Sequence, residues 1–367
     1  MMLRMPALAR RPARSSRALC RAAACGALTA AVFAAAPSVR AAEPIVGLRS
    51  LAMGDTLRGA ATEAEGPLLN PSGMTVSQKF QVTGFYSLRL PSLGHFVHLS
   101  VVDSVTNRRL ALGLYYSFVQ ENPHFNFPLA EGPYANGMMQ RVIEVDGARI
   151  SRNGNESGIS MAVPIGERFS LGATIKYSYY ALRAELDPSM IPSGYNFALS
   201  RLDKERGVDL GSNGHSVTFD FGATLRLVDQ LRIGVVGQNL WPQGHELPIK
   251  LGLGLAYRAG ERLILAGDAV INFSGSEDCV TVELDRCTEV ARRTTTRLGL
   301  GLEYSILSRV PVRLGYSYDD TQGAQALTGG IGYMNLAPAF ALDFAFRQRL
   351  DAGAETVLLL GFRVIRD

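Results

Sequence analysis

From residue 79 onward the chain is built of short segments in which apolar and polar residues alternate. In 294–304, Leu298, Leu300, Leu302 and Tyr304 fall on one face, and Arg297, Gly299, Gly301 and Glu303 on the other. Segment 249–258 sets Ile249, Leu251, Leu253, Leu255 and Tyr257 against Lys250, Gly252, Gly254, Ala256 and Arg258; segment 310–319 repeats the pattern. Successive side chains of a strand point to opposite faces, so these are predicted strands with one apolar face. Fourteen are expected: 79–90, 94–103, 108–120, 155–165, 167–183, 214–228, 230–240, 247–258, 261–273, 294–305, 310–319, 323–334, 337–349 and 354–365. Most have about 10 to 13 residues, the length of a tilted strand that crosses hydrocarbon. The predicted fold class is all-β, a transmembrane antiparallel barrel of about fourteen strands.

Which face points inward follows from chemistry. The polar face mixes charges with glycine and alanine, which suits a lumen wall better than a solvated exterior. An inward apolar face around so many strands would enclose more volume than its side chains fill. Arginine at the lipid midplane costs roughly 2–4 kcal/mol, so Arg226, Arg297 and Arg313 are expected inside, paired with Asp220, Asp268, Glu303 and Asp343. Connection lengths agree. The long connections near 121–154, 184–213 and 274–293 follow the third, fifth and ninth strands, whereas Gly166-Glu167, Asp229-Gln230 and Ala259-Gly260 are tight turns after even strands. Outer-membrane barrels have this asymmetry of long outer loops and short periplasmic turns.

Residues 1–41 read as a cleaved signal peptide, with arginines at 4, 10, 11, 14, 17 and 21, an alanine-rich stretch from Ala22 to Ala36, and Val39-Arg40-Ala41 as the cleavage site. Arg10-Arg11 is not followed by a twin-arginine pattern, and Cys25 lacks the apolar core of a lipidation signal, so Sec export to the outer membrane is expected. The leader also changes the charge. The whole chain carries 37 basic and 33 acidic residues, but seven arginines sit in the leader, which leaves thirty basic residues and a net charge of −3 in place of +4. The apparent basicity therefore gives no reason to expect nucleic acid as a partner. Only Cys279 and Cys287 remain in the mature chain; in an exported protein they read as a disulfide or as two unrelated thiols.

Residues 42–78 precede the first strand and are not strand-like. They contain Gly47-Leu48-Arg49-Ser50-Leu51-Ala52-Met53-Gly54-Asp55 and, later, Leu69-Asn70-Pro71-Ser72-Gly73-Met74. The glycines permit close packing and Asn-Pro favours a turn. The segment reads either as a hatch plugging the lumen or as a periplasmic extension leading into a barrel of residues 79–367. Arg49, Met53, Gly54, Asn70, Pro71 and Gly73 together resemble the N-terminal signature of the superfamily that joins FadL-type hydrophobic-compound transporters with PorV/PorQ-type proteins. Leu231-Arg232-Ile233-Gly234, Gln238-Asn239-Leu240 and Leu247-Pro248 are similar to PorV-like members in particular. The C-terminal Gly361-Phe362-Arg363-Val364-Ile365 resembles an insertion signal for the barrel-assembly machinery, but Arg366-Asp367 follow where an aromatic end is usual.

The resemblance implies a fourteen-stranded barrel with residues 43–78 as an internal hatch. It also implies one of two roles. FadL-type members pass hydrophobic small molecules from an outer-loop groove through a side opening in the wall. PorV-type members hold exported protein cargo or scaffold an outer-membrane complex. Phe125, Phe127, Leu129, Tyr134, Met138 and Met139 make the outer loop 121–139 unusually apolar, either as a capture groove or as packing on the barrel rim. Transport predicts an apolar path beside the hatch; a scaffold predicts a sealed barrel with a conspicuous loop surface. An enzyme is not expected. There is no G-x-S-x-G, and the adjacent His215 and Ser216 point to opposite faces of a strand. No Cys/His spacing suggests a metal, and no cofactor is expected.

Overall fold

The computed structural model of the chain describes residues 47–59, 65–76, 79–90, 93–107, 109–121, 124–130, 142–186, 208–209, 212–244, 247–283, 286–307, 309–320, 323–336, 339–350 and 355–366. The leader lies outside the described residues, as do Tyr134, Met138 and Met139.

Sixteen strands are described: β1 Phe80–Leu90, β2 Gly94–Asp103, β3 Ala111–Glu121, β4 His124–Ala130, β5 Val142–Ile165, β6 Phe169–Leu186, β7 Val208–Asp209, β8 Ser212–Val228, β9 Leu231–Gly244, β10 Lys250–Ala259, β11 Leu263–Glu283, β12 Arg286–Ile306, β13 Val310–Asp319, β14 Ala324–Leu336, β15 Ala339–Arg349 and β16 Thr356–Arg366. Every neighbour pair is antiparallel. β1 pairs with β16, and β5 joins β3 to β6, which closes the ring. β4 and β7 attach to β5 and β6 without joining it, so fourteen strands make the wall. A closed ladder leaves no backbone N–H or C=O unpaired at an edge, which is what hydrocarbon demands.

The faces alternate around the ring. On β3 and β12 the side chains of Leu112, Leu114, Tyr116, Leu298, Leu300 and Tyr304 are exposed on the outside, while Ala111, Tyr115, Ser117 and Glu303 are buried on the inside. Periplasmic turns are short, at 166–168, 229–230 and 260–262, and Gly166 and Gly260 supply the positive φ they need, at +66° and +71°.

Outer connections differ from simple loops. β5 has 24 residues, β11 and β12 have 21 each, and β6 and β8 have 18 and 17, well beyond the length that crosses hydrocarbon. The ladders therefore continue outward into the segments 142–154, 274–283 and 286–293, where loops were expected. Above the lipid neither face meets hydrocarbon, so the apolar/polar alternation that reveals a strand fades while backbone pairing persists. Phe125, Phe127 and Leu129 sit on β4, which pairs with the outer part of β5 through a bulge after Phe125. In the β11–β12 hairpin Cys279 is opposite Val290 and Cys287 is opposite Val282. The two cysteines are thus three rungs apart, about 10 Å along the ladder.

Candidate functional site

Residues 47–59 and 65–76 lie inside the barrel. Leu48–Ala52 form a short helix, α1, and Gly66–Leu69 a second, α2, followed by a 3-10 turn at Pro71–Thr75. Asn70 caps that turn: its Oδ1 accepts from Ser72 N at 3.3 Å and from Ser72 Oγ at 2.7 Å. Pro71 occupies the first position, where a missing N–H costs nothing.

This segment supplies the apolar core that a lumen otherwise lacks. Leu48, Leu51 and Ala52 pack on Phe85, Phe96, Val357 and Leu359 of the wall. Met53, Leu57 and Leu69 pack on Ala256 and Ala266, and Met74 on Val102, Ala111 and Ala162. The wall glycines explain how backbone fits against backbone. A Cβ on Gly301 would stand 2.3 Å from the Met53 carbonyl oxygen, one on Gly254 2.3 Å from Gly59 N, and one on Gly315 2.2 Å from Gly54 N. Gly54 itself has φ +74°, and a Cβ there would meet the carbonyl oxygens of Leu300 and Tyr316 at 2.5 Å. Glycine on the lumen face is therefore the seat of the hatch, beyond being merely compatible with a lumen.

Charges fasten it. The Arg49 guanidinium donates to both carboxylate oxygens of Glu303 at 2.8 Å, a bidentate pair. Glu303 also accepts from Arg313, which donates in turn to Asp343 at 2.6 Å; Arg363 completes that row on Asp343. Asp55 receives Arg297 and Arg347. Arg58 donates to Asp268 from its backbone N–H at 2.8 Å and from Nη1 at 3.1 Å. Glu65 accepts from the Arg49 N–H at 2.8 Å, and burial pushes its carboxyl above the usual carboxylate range against the opposing pull of Arg49.

The structure thus places Arg49, Met53, Gly54, Asn70, Pro71 and Gly73 in one buried body, with Asn70 Nδ2 donating to Arg58 O at 3.0 Å and Ala223 O at 3.3 Å. Arg297, Arg313, Asp268, Glu303 and Asp343 meet one another or the hatch, and Asp220 pairs with Lys176 at 2.8 Å. Arg226 stands apart at the periplasmic rim, donating to Glu167 O. Sequence reasoning passed over Asp55, Arg58, Lys176, Arg347 and Arg363. Asp55 and Arg58 are charges within a run of small residues that becomes fully buried, and that incongruity was the available signal.

At Asn70 and Pro71 the hatch lies directly against the wall. A Cβ on Gly222 would fall 2.0 Å from Asn70 Oδ1, and one on Gly172 2.5 Å from the Pro71 carbonyl carbon. A concavity lies in the wall. A depression of about 600 Å³ spans β2, β3, β5, β6 and β8. Leu99, Leu114, Ile159 and Tyr177, exposed on the outer face, line it together with the buried Tyr115, Gly158 and Lys176. Tyr115 is directly opposite Gly158, and its ring occupies the space a Gly158 side chain would need, 2.2 Å from an ideal Cβ. Its hydroxyl donates to Glu156 at 2.7 Å.

No protein-family model and no curated protein sequence matches the chain. Solved structures do. The CymD monoaromatic hydrocarbon channel aligns with a TM-score of 0.60 at 16% identity, over 87% of this chain and 98% of the other. A FadL homologue from Pseudomonas aeruginosa gives 0.57 at 12% identity, over 89% and 99%. The Pseudomonas putida toluene transporter TodX gives 0.56 at 16% identity, over 89% and 98%. These likenesses do not show the closer kinship to PorV/PorQ-type members expected from 231–248. The chain has the outer-membrane barrel fold of these FadL-like channels.

Proposed function

We propose that the protein passes hydrophobic small molecules across the outer membrane, with the described conformation as its closed state. The wall depression carries this reading. It is a hollow of the wall between β2 and β8, and behind it the Tyr115 ring lies over Gly158 on the lumen face. A volume of about 600 Å³ lies within the range of small-molecule sites. Among the described residues the hatch packs on the lumen face of the wall, so a solute crossing at the depression would move sideways through the wall. Two solved structures of the same fold, one named a toluene transporter and one a monoaromatic hydrocarbon channel, supply the substrate class.

Uptake of labelled toluene by intact cells, with and without the protein, tests the reading. Tyr115→Ala removes the ring and is expected to raise uptake, whereas Tyr115→Phe keeps it and is expected to behave as wild type. Uptake identical with and without the protein would remove the transport reading. Deleting residues 121–139 tests the capture role of Phe125, Phe127, Leu129, Tyr134, Met138 and Met139 separately. Unchanged uptake removes the groove but not the passage.

A further inference from the structure

The two ends of the barrel differ in charge. The outer segment 274–293 carries five acids and three arginines. At the periplasmic end, the four consecutive turns from β5–β6 to β12–β13 reverse that balance. Within two residues of their strand ends stand Arg168, Arg226, Arg232, Arg258, Arg262 and Arg309, against Glu167, Asp229 and Glu261. The placement repeats. Arg168, Arg262 and Arg309 each stand one residue before a strand that rises from the periplasm, at Phe169, Leu263 and Val310, and Lys79 stands likewise before Phe80. Arg168, Arg258, Arg262 and Arg309 are exposed, and none of these four forms an ion pair among the described residues. Arg226 donates to a carbonyl oxygen, that of Glu167, and not to an acid.

The neighbouring side chains give the depth of this rim. Tyr257 precedes Arg258, and Tyr304 is directly opposite Leu263, the residue after Arg262. Both rings are exposed on the outer face, and aromatic residues there mark the level where hydrocarbon gives way to headgroups. The same strand ends and turns leave Ile165, Val228, Ile306 and Leu307 exposed, Leu307 at 79%. Unpaired cations and bare apolar side chains therefore share one narrow band. A small soluble anion would answer the arginines and leave the apolar side chains in water. An anionic amphiphile answers both, with its acyl chains against the apolar residues and its phosphate against the guanidinium forks. Arginine suits that boundary, because its stem lies along apolar surface while its head reaches the polar side.

We propose that the periplasmic rim from β6 to β13 is a binding surface for anionic phospholipid of the periplasmic leaflet, with Arg168, Arg262 and Arg309 holding the phosphates. The surface is separate from the depression at Tyr115 and does not rest on the transport reading.

Full-length protein in bilayer discs tests it, with phosphatidylglycerol and phosphatidylcholine of identical chains in equal amounts and native mass spectrometry reading which lipid stays bound. Retained lipid is expected to be enriched in phosphatidylglycerol. A cation near a charged membrane surface contributes roughly fivefold in binding. Arg168→Gln, Arg262→Gln and Arg309→Gln together are therefore expected to bring the enrichment down to parity. Arg286→Gln, Arg292→Gln and Arg293→Gln remove the same charge from the outer hairpin and are expected to leave the enrichment as in wild type. Raised ionic strength is expected to weaken it, because exposed charges are screened. Equal retention of the two lipids by the wild-type protein would overturn the proposal. So would an enrichment that survives loss of the three rim arginines, or one that falls as far in the outer-hairpin variant.

Discussion

Replacing Glu303 by alanine removes the acceptor that ties the hatch to the wall through Arg49. Glu303 is buried and Arg49 partly so, with side-chain exposures of 8% and 15%, and Arg313 behind them is at 1%. Removing one partner of a buried ion pair typically costs about 3–5 kcal/mol, because the other charge is left without compensation. Two features put this case at the lower end. Arg313 keeps Asp343 at 2.6 Å, and the hatch remains fastened by Asp55 and Arg58. About 3 kcal/mol, at 1.4 kcal/mol per tenfold, means local opening of α1 on the order of a hundredfold more frequent. Amide exchange reads this directly. Leu51 N bonds Gly47 O, Met53 N and Asp55 N bond Ser50 O, and Gly54 N bonds Leu51 O, so each of these amides exchanges only when the turn opens. Faster exchange is expected there, with the β11–β12 ladder unaffected. Exchange within about threefold of wild type at these four amides would refute the fastening role, as would equal loosening of the whole barrel.

Gly254→Val puts a side chain 2.3 Å from Gly59 N, with backbone on both sides; overpacking of this kind costs about 1–3 kcal/mol, and protease access to residues 55–60 is expected to rise while the barrel stays folded. Asn70→Ala removes the cap of the 3-10 turn at a cost of about 0.5–2 kcal/mol, and faster exchange of the Gly73 and Val76 amides would show it. Three rungs between Cys279 and Cys287 exceed the 4.4–6.8 Å between Cα atoms that a disulfide spans, so both thiols are expected to react with a maleimide in native protein; intact mass lacking both adducts would overturn that register.

Much of the barrel was legible in the amino-acid order because its defining signals are local. Alternation has a period of two residues, and each of β1–β3, β10, β13, β15 and β16 shows it within its own ten or eleven residues. Tight turns at Gly166 and Gly260 gave the in/out parity from dipeptides alone. The outer ladders of β5 and β11–β12 were missed because alternation reports contact with lipid, and above the membrane there is none to report.

The site was only half legible. Residue types identified Arg297, Arg313, Glu303 and Asp343 as lumen charges, but not their partners. Arg49 meets Glu303 across 254 residues of chain and Arg58 meets Asp268 across 210, and such pairings are set by barrel closure and register, which no local pattern encodes. Glycine's role changed in the same way: alternation explains Gly254, Gly301 and Gly315 as lumen-facing, and only the folded hatch shows that backbone presses where their side chains would be. The sequence alone determined a lipid-facing wall of fourteen strands. Tertiary structure decided that residues 47–59 and 65–76 fill the lumen and where they are fastened, because those are properties of surfaces brought together from distant parts of the chain.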